Sequence, residues 1–506
     1  MHAHCVAAFW AGRERMKSSR KSWIRLLSVT AVWCTAMVLL QHGRLEAFFS
    51  FEFEDAALYH QLLFNVGDGQ WIVNTIHPLH RPSHLSPLFF LLWPLYALLG
   101  GGWVAVFIIK SVFVGSGAVA VFMLARSQSL SERDSLLWAA IYLLFPPVIV
   151  LTLSPLRPMV LALGPLLFLL WSFTSERWKS FLLWMIVVLF LREDLALSVA
   201  TLSLIAFLMK KEARWVLTPA VVSLSWFVVA VFWLLPNFLP APYGTIIMGT
   251  NLSEAGFWDS LRYLFEPTHI VGALALLLPL CFLPLGSWFI LFAAVGVASF
   301  MLNWRPFVGN LVHMTTPAVA AVVCSAVVSQ ARLAAKKPRL LAAVLLCLCV
   351  SHVQALVPAS FAPPAEPNSA WSPFDPSFYE QDALDKIRWK AVAAVPDDVS
   401  VTAVGHFLPA LAPRSLLYEY GHPDVPFLEA DWFLLEARNL FAGGGSYFAL
   451  DPTVFKKQRA ILAPYVETRF EQDGIVLLER KQVIPELVLK QLCLLFEDPR
   501  LKRVRP

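Results

Sequence analysis

The stretch WVAVFIIKSVFVGSGAVAVFMLA (103–125) runs for 23 residues with a single charge, Lys110, and decides the fold class. About 20 consecutive apolar residues are enough for a helix to cross the hydrocarbon core of a bilayer. Similar apolar runs recur over residues 24–356, and the whole chain is 58% hydrophobic and only 15% charged. Soluble domains are about a quarter charged. The sequence therefore predicts an α-helical polytopic membrane protein.

The apolar runs predict about eleven transmembrane helices in a membrane domain over residues 24–356. Several runs are short, so we expect some of these helices to be broken or to extend past the stated limits. The predicted spans are 24–41, 103–125, 136–152, 159–173, 180–191, 195–209, 215–235, 268–285, 287–302, 307–329 and 339–356.

Basic residues set the predicted orientation, because cytoplasmic loops carry an excess of Lys and Arg. The stretch LSPLFFLLWPLYALLG (85–100) decides whether all the basic loops face the same side. It has 16 residues and two prolines, so we expect a re-entrant or interfacial segment rather than a span. The N-terminus is then cytoplasmic and residues 42–102 form an external loop. The cytoplasmic basic segments are 1–23, 126–133, 177–179, 210–214 and 332–339.

The composition changes after the last apolar run. Residues 357–376 form a Pro-rich linker, residues 377–480 show short helix and strand patterns, and residues 481–506 form a C-terminal tail. We expect 377–480 to be a small α/β module on the extracytoplasmic side. After residue 356 the chain has 20 Asp/Glu against 16 Lys/Arg, whereas nucleic-acid binding requires a concentrated basic face. The predicted helix is 383–395 and the predicted strands are 399–404, 415–420, 431–436 and 474–479.

Acidic residues follow the first span in FFSFEFEDAALYHQLLFNVGDGQW (48–71). Glu54 and Asp55 stand among aromatic residues, which suit the membrane interface. One interpretation is a solvated acidic loop opposite the basic cytoplasmic face. The other is a general base at the membrane surface that activates an acceptor hydroxyl, with the second acid orienting it or binding a metal.

Cations at the same predicted face are candidates for binding an anionic phosphate. Arg157 lies between two spans, Arg192 lies between two short spans, and Lys110 lies within 103–125. The alternatives are that Arg157 anchors helix ends, that Lys110 extends outward to the interface, and that Arg192 pairs with Glu193 or Asp194. His84 and His313 are predicted to lie at helix ends. The sequence has no Walker A, GxGxxG, GxSxG or HExxH motif, which argues against an ATP-driven machine or a common hydrolase.

Several short motifs together resemble the bacterial membrane family DUF2079. Asp55, Gln61, Asn65 and Gly67 match a D-x5-Q-x3-N-x-G pattern, and Leu191-Arg192-Glu193-Asp194 matches L-[KR]-E-D. The remaining matches are HLSPLFFLLWPLYAL (84–98), His313 to Pro317, and the segments 399–420 and 430–436. The sequence departs from the family pattern at His60, where an acid often stands, at Leu156-Arg157-Pro158, where F-H-P often stands, and at Met314, where a Tyr often stands.

The family resembles the GT-C glycosyltransferases, multi-span enzymes that use polyprenyl-phosphate-linked sugars. The resemblance implies a GT-C-like membrane fold in which Asp55 acts in catalysis with Glu54 as its neighbour. It implies a multi-pass protein of the bacterial inner membrane that transfers a sugar from a lipid-phosphate donor to a cell-envelope acceptor. No cofactor is assigned, and a divalent metal is left open because of the departures at His60 and Arg157. The residues expected to support the site are His60, Gln61, His84, Glu193, Asp194, Arg305 and His313.

Two other functions compete with glycosyl transfer. A transporter or flippase for a lipid-linked carrier favours internal repeats and charges at the bilayer midplane, and neither stands out in this sequence. A non-enzymatic membrane assembly protein with an external docking module would tolerate the loss of Asp55.

Overall fold

The structure is a computed structural model that describes residues 19–48, 53–71, 73–76, 84–238, 274, 276–294, 312–333, 340–356, 376–421, 428–437, 452–488 and 492. It divides into two compact units, and each is built from separate parts of the chain. The helical unit comprises Met1–Leu39, Ser83–Leu91 and Phe107–Val357. The sheet unit comprises Leu40–Pro82, Leu92–Val106 and Pro358–Pro506. Most of the predicted external loop, 42–102, thus belongs to the same unit as the C-terminal segment.

The described chain before residue 357 is mostly helical. Its long helices consist of apolar residues with few charges, as a membrane environment requires. The helices are α1 Arg20–Glu46, α2 Phe53–Asn65, α3 Pro87–Phe90, α4 Trp93–Leu98, α5 Trp103–Gly115, α6 Gly117–Ser127, α7 Glu132–Leu144, α8 Pro146–Leu153, α9 Pro158–Leu161, α10 Leu163–Thr174, α11 Trp178–Leu191, α12 Leu195–Leu208, α13 Ala213–Val229, α14 Leu235–Phe238, α15 Thr316–Leu333 and α16 Leu340–Leu356.

Within the described residues, four helices are long and apolar enough to cross a membrane. They are Arg20–Glu46, Trp103–Ser127, Ala213–Asn237 and Thr316–Leu333. The pair α7 and α8 makes a fifth if it is one span, bent by 47°. The bend lies at Pro146 and Pro147, where proline removes backbone donors. The stretch Pro87–Leu98 is a broken apolar helix that is shorter than a span.

The predicted helices 268–285 and 287–302 are wrong over the part that the structure describes. Residues 278–292 form three short 3₁₀ turns, Leu278–Leu280, Leu283–Gly286 and Trp288–Phe292. Pro279 and Pro284 interrupt the hydrogen-bond ladder, because proline has no N–H to donate and clashes with the preceding turn. Apolar composition alone did not reveal these breaks.

Helices in the helical unit approach each other closely at glycine. A Cβ added to Gly164, in α10, would lie 2.2 Å from the carbonyl oxygen of Phe113, in α5. A Cβ on Gly117, in α6, would lie 2.3 Å from the hydroxyl of Tyr142, in α7. Small residues let helix backbones pack this tightly in membrane proteins, where dispersion contacts replace the hydrophobic effect as the source of attraction.

The described strands of the sheet unit form one five-stranded sheet in the order β2-β1-β3-β5-β4. The strands β1 and β2, and likewise β1 and β3, are parallel, while β5 is antiparallel to both β3 and β4. Asp473 and Gly474 have positive φ and turn β4 into β5, as two-residue hairpins require. The strands are β1 Val401–Ala403, β2 Leu417–Glu419, β3 Trp432–Glu436, β4 Val466–Gln472 and β5 Ile475–Arg480, and the helices of this part are α17 Ala383–Ala393, α18 Leu408–Leu411 and α19 Pro452–Leu462.

The core of the sheet unit draws on two distant parts of the sequence. Apolar residues of the strands, such as Val401 and Leu477, are buried together with Phe48, Ala57 and Ile76 from the segment after α1. Burying a large apolar side chain contributes about 1.5–3 kcal/mol. The segment that contains α2 is therefore an integral part of this fold.

Candidate functional site

The predicted catalytic acid, Asp55, lies in the first turn of α2. It is partly exposed, whereas the eight residues that follow it, Ala56 to Leu63, are buried. The N-terminus of a helix carries a partial positive charge that stabilises a carboxylate. Asp55 is thus a partly exposed carboxylate in the first turn of a helix whose next eight residues are buried. Glu54 precedes it in the same helix, and its side chain lies outside the described part of the structure.

His60, on the same helix, is completely buried. Its Nε2 is hydrogen-bonded to the Tyr96 hydroxyl at 2.9 Å, and its ring lies edge-on to Trp103 with the centroids 4.3 Å apart. Burial lowers the pKa of His60 to about 3, so the ring is neutral at physiological pH. This position therefore holds a neutral imidazole inside the fold.

Gln61 holds α2 to the rest of the sheet unit. Its side-chain nitrogen faces the carbonyl oxygens of Arg414 and Ser415 at 3.1 and 3.2 Å and the Thr75 hydroxyl at 3.0 Å. Its side-chain oxygen accepts from the Thr75 backbone N–H at 2.9 Å. The Thr75 hydroxyl in turn donates to the Leu417 carbonyl at 2.6 Å. The motif residue Gln61 thus connects α2 to Thr75 and to the backbone of Arg414 and Ser415.

The other two motif residues shape the loop after α2. Asn65 donates to the Val73 carbonyl at 2.9 Å. A Cβ at Gly67 would lie 2.9 Å from the indole nitrogen of Trp93, so only glycine fits without a shift of that ring. The spacing of Asp55, Gln61, Asn65 and Gly67 therefore combines one accessible acid with three residues that hold its helix and loop.

The Arg192-Glu193-Asp194 motif lies between α11 and α12 in the helical unit. Arg192 donates to Asp194 at 2.8 Å, which agrees with the ion-pair interpretation of this motif. Glu193 is fully buried and is hydrogen-bonded to His84 at 2.7 Å and to the Leu85 backbone N–H at 2.8 Å. The motif residues His84 and Glu193 are therefore brought together.

Two more predicted phosphate ligands lie at the connection between α8 and α9 in the helical unit. The Lys110 ammonium donates to the carbonyl oxygen of Ser154, just after α8, and Arg157 ends the same connection before α9. Both side chains are buried. Helix α9 contacts α11, which ends one residue before Arg192. The cations Lys110, Arg157 and Arg192 thus lie on adjoining elements.

The last two predicted residues are Arg305 and His313. Arg305 lies outside the described residues. His313 lies in a 3₁₀ turn, Val312–Thr315, that contacts α8 and α9. Among the described residues, no group of three His, Cys, Asp or Glu side chains is arranged to hold a metal ion.

One buried charged cluster was not anticipated from the sequence. Glu436, at the end of β3, accepts two hydrogen bonds from Arg388 and one from His406, all at 2.9 Å. Arg388 also donates to Asp385 at 2.9 Å. Burial by itself would raise the pKa of Glu436, but the hydrogen bonds from His406 and Arg388 outweigh it and lower the pKa to about 2. The only sequence signal was the mixture of acidic and basic residues in ALDKIRWKAVA (383–393), and it does not point to His406 or Glu436, which lie further along the chain.

A family profile and two solved structures resemble this chain. The profile of a family described as "Predicted membrane protein (DUF2079)" matches residues 44–473. Comparison with curated protein sequences gives no match. Among solved structures, ArnT from Cupriavidus metallidurans bound to undecaprenyl phosphate is similar with a TM-score of 0.50 and 12% identity, over 91% of this chain and 98% of that one. The apo state of the same protein matches with a TM-score of 0.48, at the same identity and coverage. At such low identity, the similarity to the bound form is one of fold.

Proposed function

The chain belongs to the DUF2079 family of predicted membrane proteins, and on that basis and its fold we propose that it is a GT-C-like membrane glycosyltransferase. It moves a sugar from a polyprenyl-phosphate-linked donor to a cell-envelope acceptor on the extracytoplasmic face. The observation that carries this proposal is the fold similarity to ArnT, which extends over nearly the whole of both chains. One of the two ArnT structures contains undecaprenyl phosphate, which supports a polyprenyl phosphate as the lipid ligand here.

In the proposed reaction, Asp55 is the general base. It removes the proton from an acceptor hydroxyl as that oxygen forms a bond to the anomeric carbon of the donor sugar. The bond between the anomeric carbon and the phosphate oxygen breaks, and the polyprenyl phosphate leaves with the electron pair. Attack from the face opposite the phosphate inverts the anomeric configuration. The partial exposure of Asp55 at a helix N-terminus supports this role, and Glu54 is its proposed neighbour.

The leaving phosphate needs positive charge, and Lys110, Arg157 and Arg192 are the proposed ligands. Guanidinium groups present a planar fork of N–H donors that matches phosphate oxygens. All three cations are buried. The proposed reaction needs a phosphate at the level of the lipid headgroups, beside apolar helices. Arg192 also pairs with Asp194, and Lys110 donates to the Ser154 carbonyl, so a bound phosphate would add to or replace these partners.

The test is sugar transfer by purified protein reconstituted into vesicles with polyprenyl-phosphate sugar donors. Asp55→Asn keeps the size and removes the base, so turnover should fall roughly 10²–10⁴-fold. Asp398→Asn is the matched control, because Asp398 is an exposed aspartate of the same unit and should leave turnover unchanged. Near-normal turnover in Asp55→Asn would exclude Asp55 as the base. Absence of transfer by the wild type with every donor would overturn the proposed function in favour of a carrier or assembly role.

The proposal includes an orientation in the bacterial inner membrane. The distribution of basic residues supports a cytoplasmic N-terminus and an extracytoplasmic sheet unit. Single cysteines at the exposed positions Gln70 and Lys179 test it with a membrane-impermeant thiol reagent on intact cells, in a background without the native cysteines. We expect labelling at Gln70 and none at Lys179. Labelling at Lys179 would make residues 85–100 a true span and reverse the loops that follow.

A further inference from the structure

The three parallel strands of the sheet unit create a particular kind of crevice. Strand β1 lies between β2 and β3, so the chain forms β2 on one side of β1 and β3 on its other side. The order of the strands therefore reverses between β1 and β3. In open α/β sheets, ligands bind outside the carboxyl ends of the strands at such a switch point. Here His406 follows β1 and Glu436 ends β3, and the two side chains are hydrogen-bonded. The carboxyl ends of β1 and β3, where such a crevice is expected, therefore carry a hydrogen-bonded pair of polar side chains.

The occupant of this crevice is Phe48, which follows α1. Its ring centroid lies 5.0 Å from that of Trp389, 5.6 Å from that of Phe407 and 6.4 Å from that of His406. The guanidinium of Arg388 lies over the Phe48 ring, 5.7 Å from its centroid. A cation over an aromatic face is attracted by the negative charge of the ring face. Phe48 thus takes the place that a ligand would take in other sheets of this kind.

The backbone at Phe48 supports the importance of its side chain. Its φ is +48°, in the left-handed region that residues with a Cβ rarely adopt. Such a conformation persists only when the surrounding structure determines it strongly. The burial of the ring among Arg388, Trp389 and Phe407 supplies that determination.

The second attachment of this segment involves Gln61, within α2, and Thr75, after it. Gln61 and Thr75 bind the backbone of Arg414, Ser415 and Leu417. In addition, α2 packs against the turn Gly405–Phe407 and against α18, both of which follow β1. The segment is thus attached to the sheet unit at Phe48, at Gln61 and Thr75, and along α2.

We propose that Phe48 and Gln61 are positioning residues that hold α2 on the sheet unit and thereby place Asp55 for the reaction. The inference rests on the proposed glycosyl transfer for its consequence, whereas the attachment itself does not depend on that function. Displacement of a catalytic group by about 1 Å lowers rates by as much as about 100-fold. Loss of either attachment should therefore lower kcat more than it changes the KM for the lipid donor.

The experiment compares four variants of the full-length protein. Phe48→Ala removes the ring, Phe48→Tyr keeps it, and Gln61→Glu replaces the amide donor by a carboxylate facing two carbonyl oxygens. Phe455→Ala is the matched control, because Phe455 is an equally buried core residue of the same unit, in α19. Transfer kinetics are measured in vesicles, and amide hydrogen exchange of residues 53–65 is measured on the same preparations.

We expect Phe48→Ala and Gln61→Glu to lower kcat roughly 10–100-fold with the donor KM within about threefold of wild type. Exchange over residues 53–65 should rise at least about tenfold in both variants. Phe48→Tyr should restore kcat to within about threefold, and Phe455→Ala should leave kcat within that range. An equal loss of kcat in Phe455→Ala would show a general loss of stability and overturn the positioning role.

The hydrogen-exchange measurement separates this inference from the proposed function. If the wild type transfers no sugar, the glycosyltransferase assignment fails, yet faster exchange in Phe48→Ala and Gln61→Glu still supports the attachment of α2. If exchange over residues 53–65 is the same in both variants as in wild type, the attachment is refuted even when transfer is present.

Discussion

Replacing Glu436 by Gln tests whether the buried charged cluster holds the sheet unit together. The carboxylate has no exposed side-chain surface, and it receives the planar fork of Arg388 through two hydrogen bonds at 2.9 Å. Its third partner is the imidazole of His406. Gln has nearly the same shape as Glu, but it has no charge and presents an N–H₂ where an acceptor is needed. The substitution leaves the Arg388 cation buried with Asp385 as its remaining carboxylate partner within this cluster.

The magnitude follows from the pKa of Glu436, which falls from an ordinary value of 4.5 to about 2 in the fold. One pKa unit corresponds to about 1.4 kcal/mol, so the folded state favours the ionised carboxylate by about 3 kcal/mol. Removing one partner of a buried ion pair typically costs about 3–5 kcal/mol. The two routes agree, and we expect Glu436→Gln to destabilise the sheet unit by about 3 kcal/mol.

Hydrogen exchange under native conditions measures this loss locally, because opening of one unit need not unfold the whole chain. Amides of β1 and β3 should exchange about 100-fold faster, which corresponds to about 3 kcal/mol. Glu471→Gln is the control, since Glu471 pairs with Arg459 at an exposed site, where ion pairs contribute only about 0–1 kcal/mol. The double variant with Arg388→Met should recover part of the loss, because it removes the cation that Glu436 no longer neutralises. A change below about 0.5 kcal/mol in Glu436→Gln would refute the stabilising role of the cluster.

Three further predictions concern acid, packing and thiols. Lowering the pH should open the sheet unit, because the pKa of Glu436 and the pKa of His406 both lie below their ordinary values. The folded state therefore binds fewer protons than the unfolded state and loses stability as the pH falls from about 6.5 toward 2. Tryptophan fluorescence at successive pH values can follow this loss. Gly164→Ala should destabilise the helical unit by about 1–3 kcal/mol and lower its melting temperature in detergent, because the new methyl group meets a backbone carbonyl at 2.2 Å. Mild oxidation should join Cys281 to Cys347, whose sulfurs are 3.3 Å apart, and mass spectrometry should find this linked peptide pair before any other.

The sequence patterns predicted the helical stretch 103–125 and four of the five described strands, because these elements depend on local composition. The predicted span 103–125 lies within Trp103–Ser127, which α5 and α6 form together, and the structure has strands within or beside all four predicted stretches. Strand β4, Val466–Gln472, was missed because it lies at the sheet edge and its residues are largely exposed, so it lacks a run of apolar residues. The 3₁₀ turns after residue 277 were missed because prolines interrupt a run that is otherwise apolar.

The candidate site was predictable only in part. Asp55 could be singled out by its place after the first span, and Arg192 by charges at membrane depth. The proposed roles of Phe48 and Gln61 depend on contacts with residues far along the chain, and a residue pattern does not specify such partners. The pairing of His84 with Glu193 is of the same kind, because more than 100 positions separate the two residues.

The divided core of the sheet unit imposes an order of events on biosynthesis. Phe48 and Phe407 share that core, yet more than 350 residues separate them in the sequence. A ribosome adds about 5–20 residues per second, so the segment containing Phe48, Ala57 and Ile76 exists for roughly 20–70 s before its partners are made. During this interval its apolar side chains have no sheet to pack against, and they are vulnerable to aggregation and proteolysis. The segment that carries Asp55 therefore completes its fold only when the last third of the chain arrives, and chains that stop early are left without an assembled site.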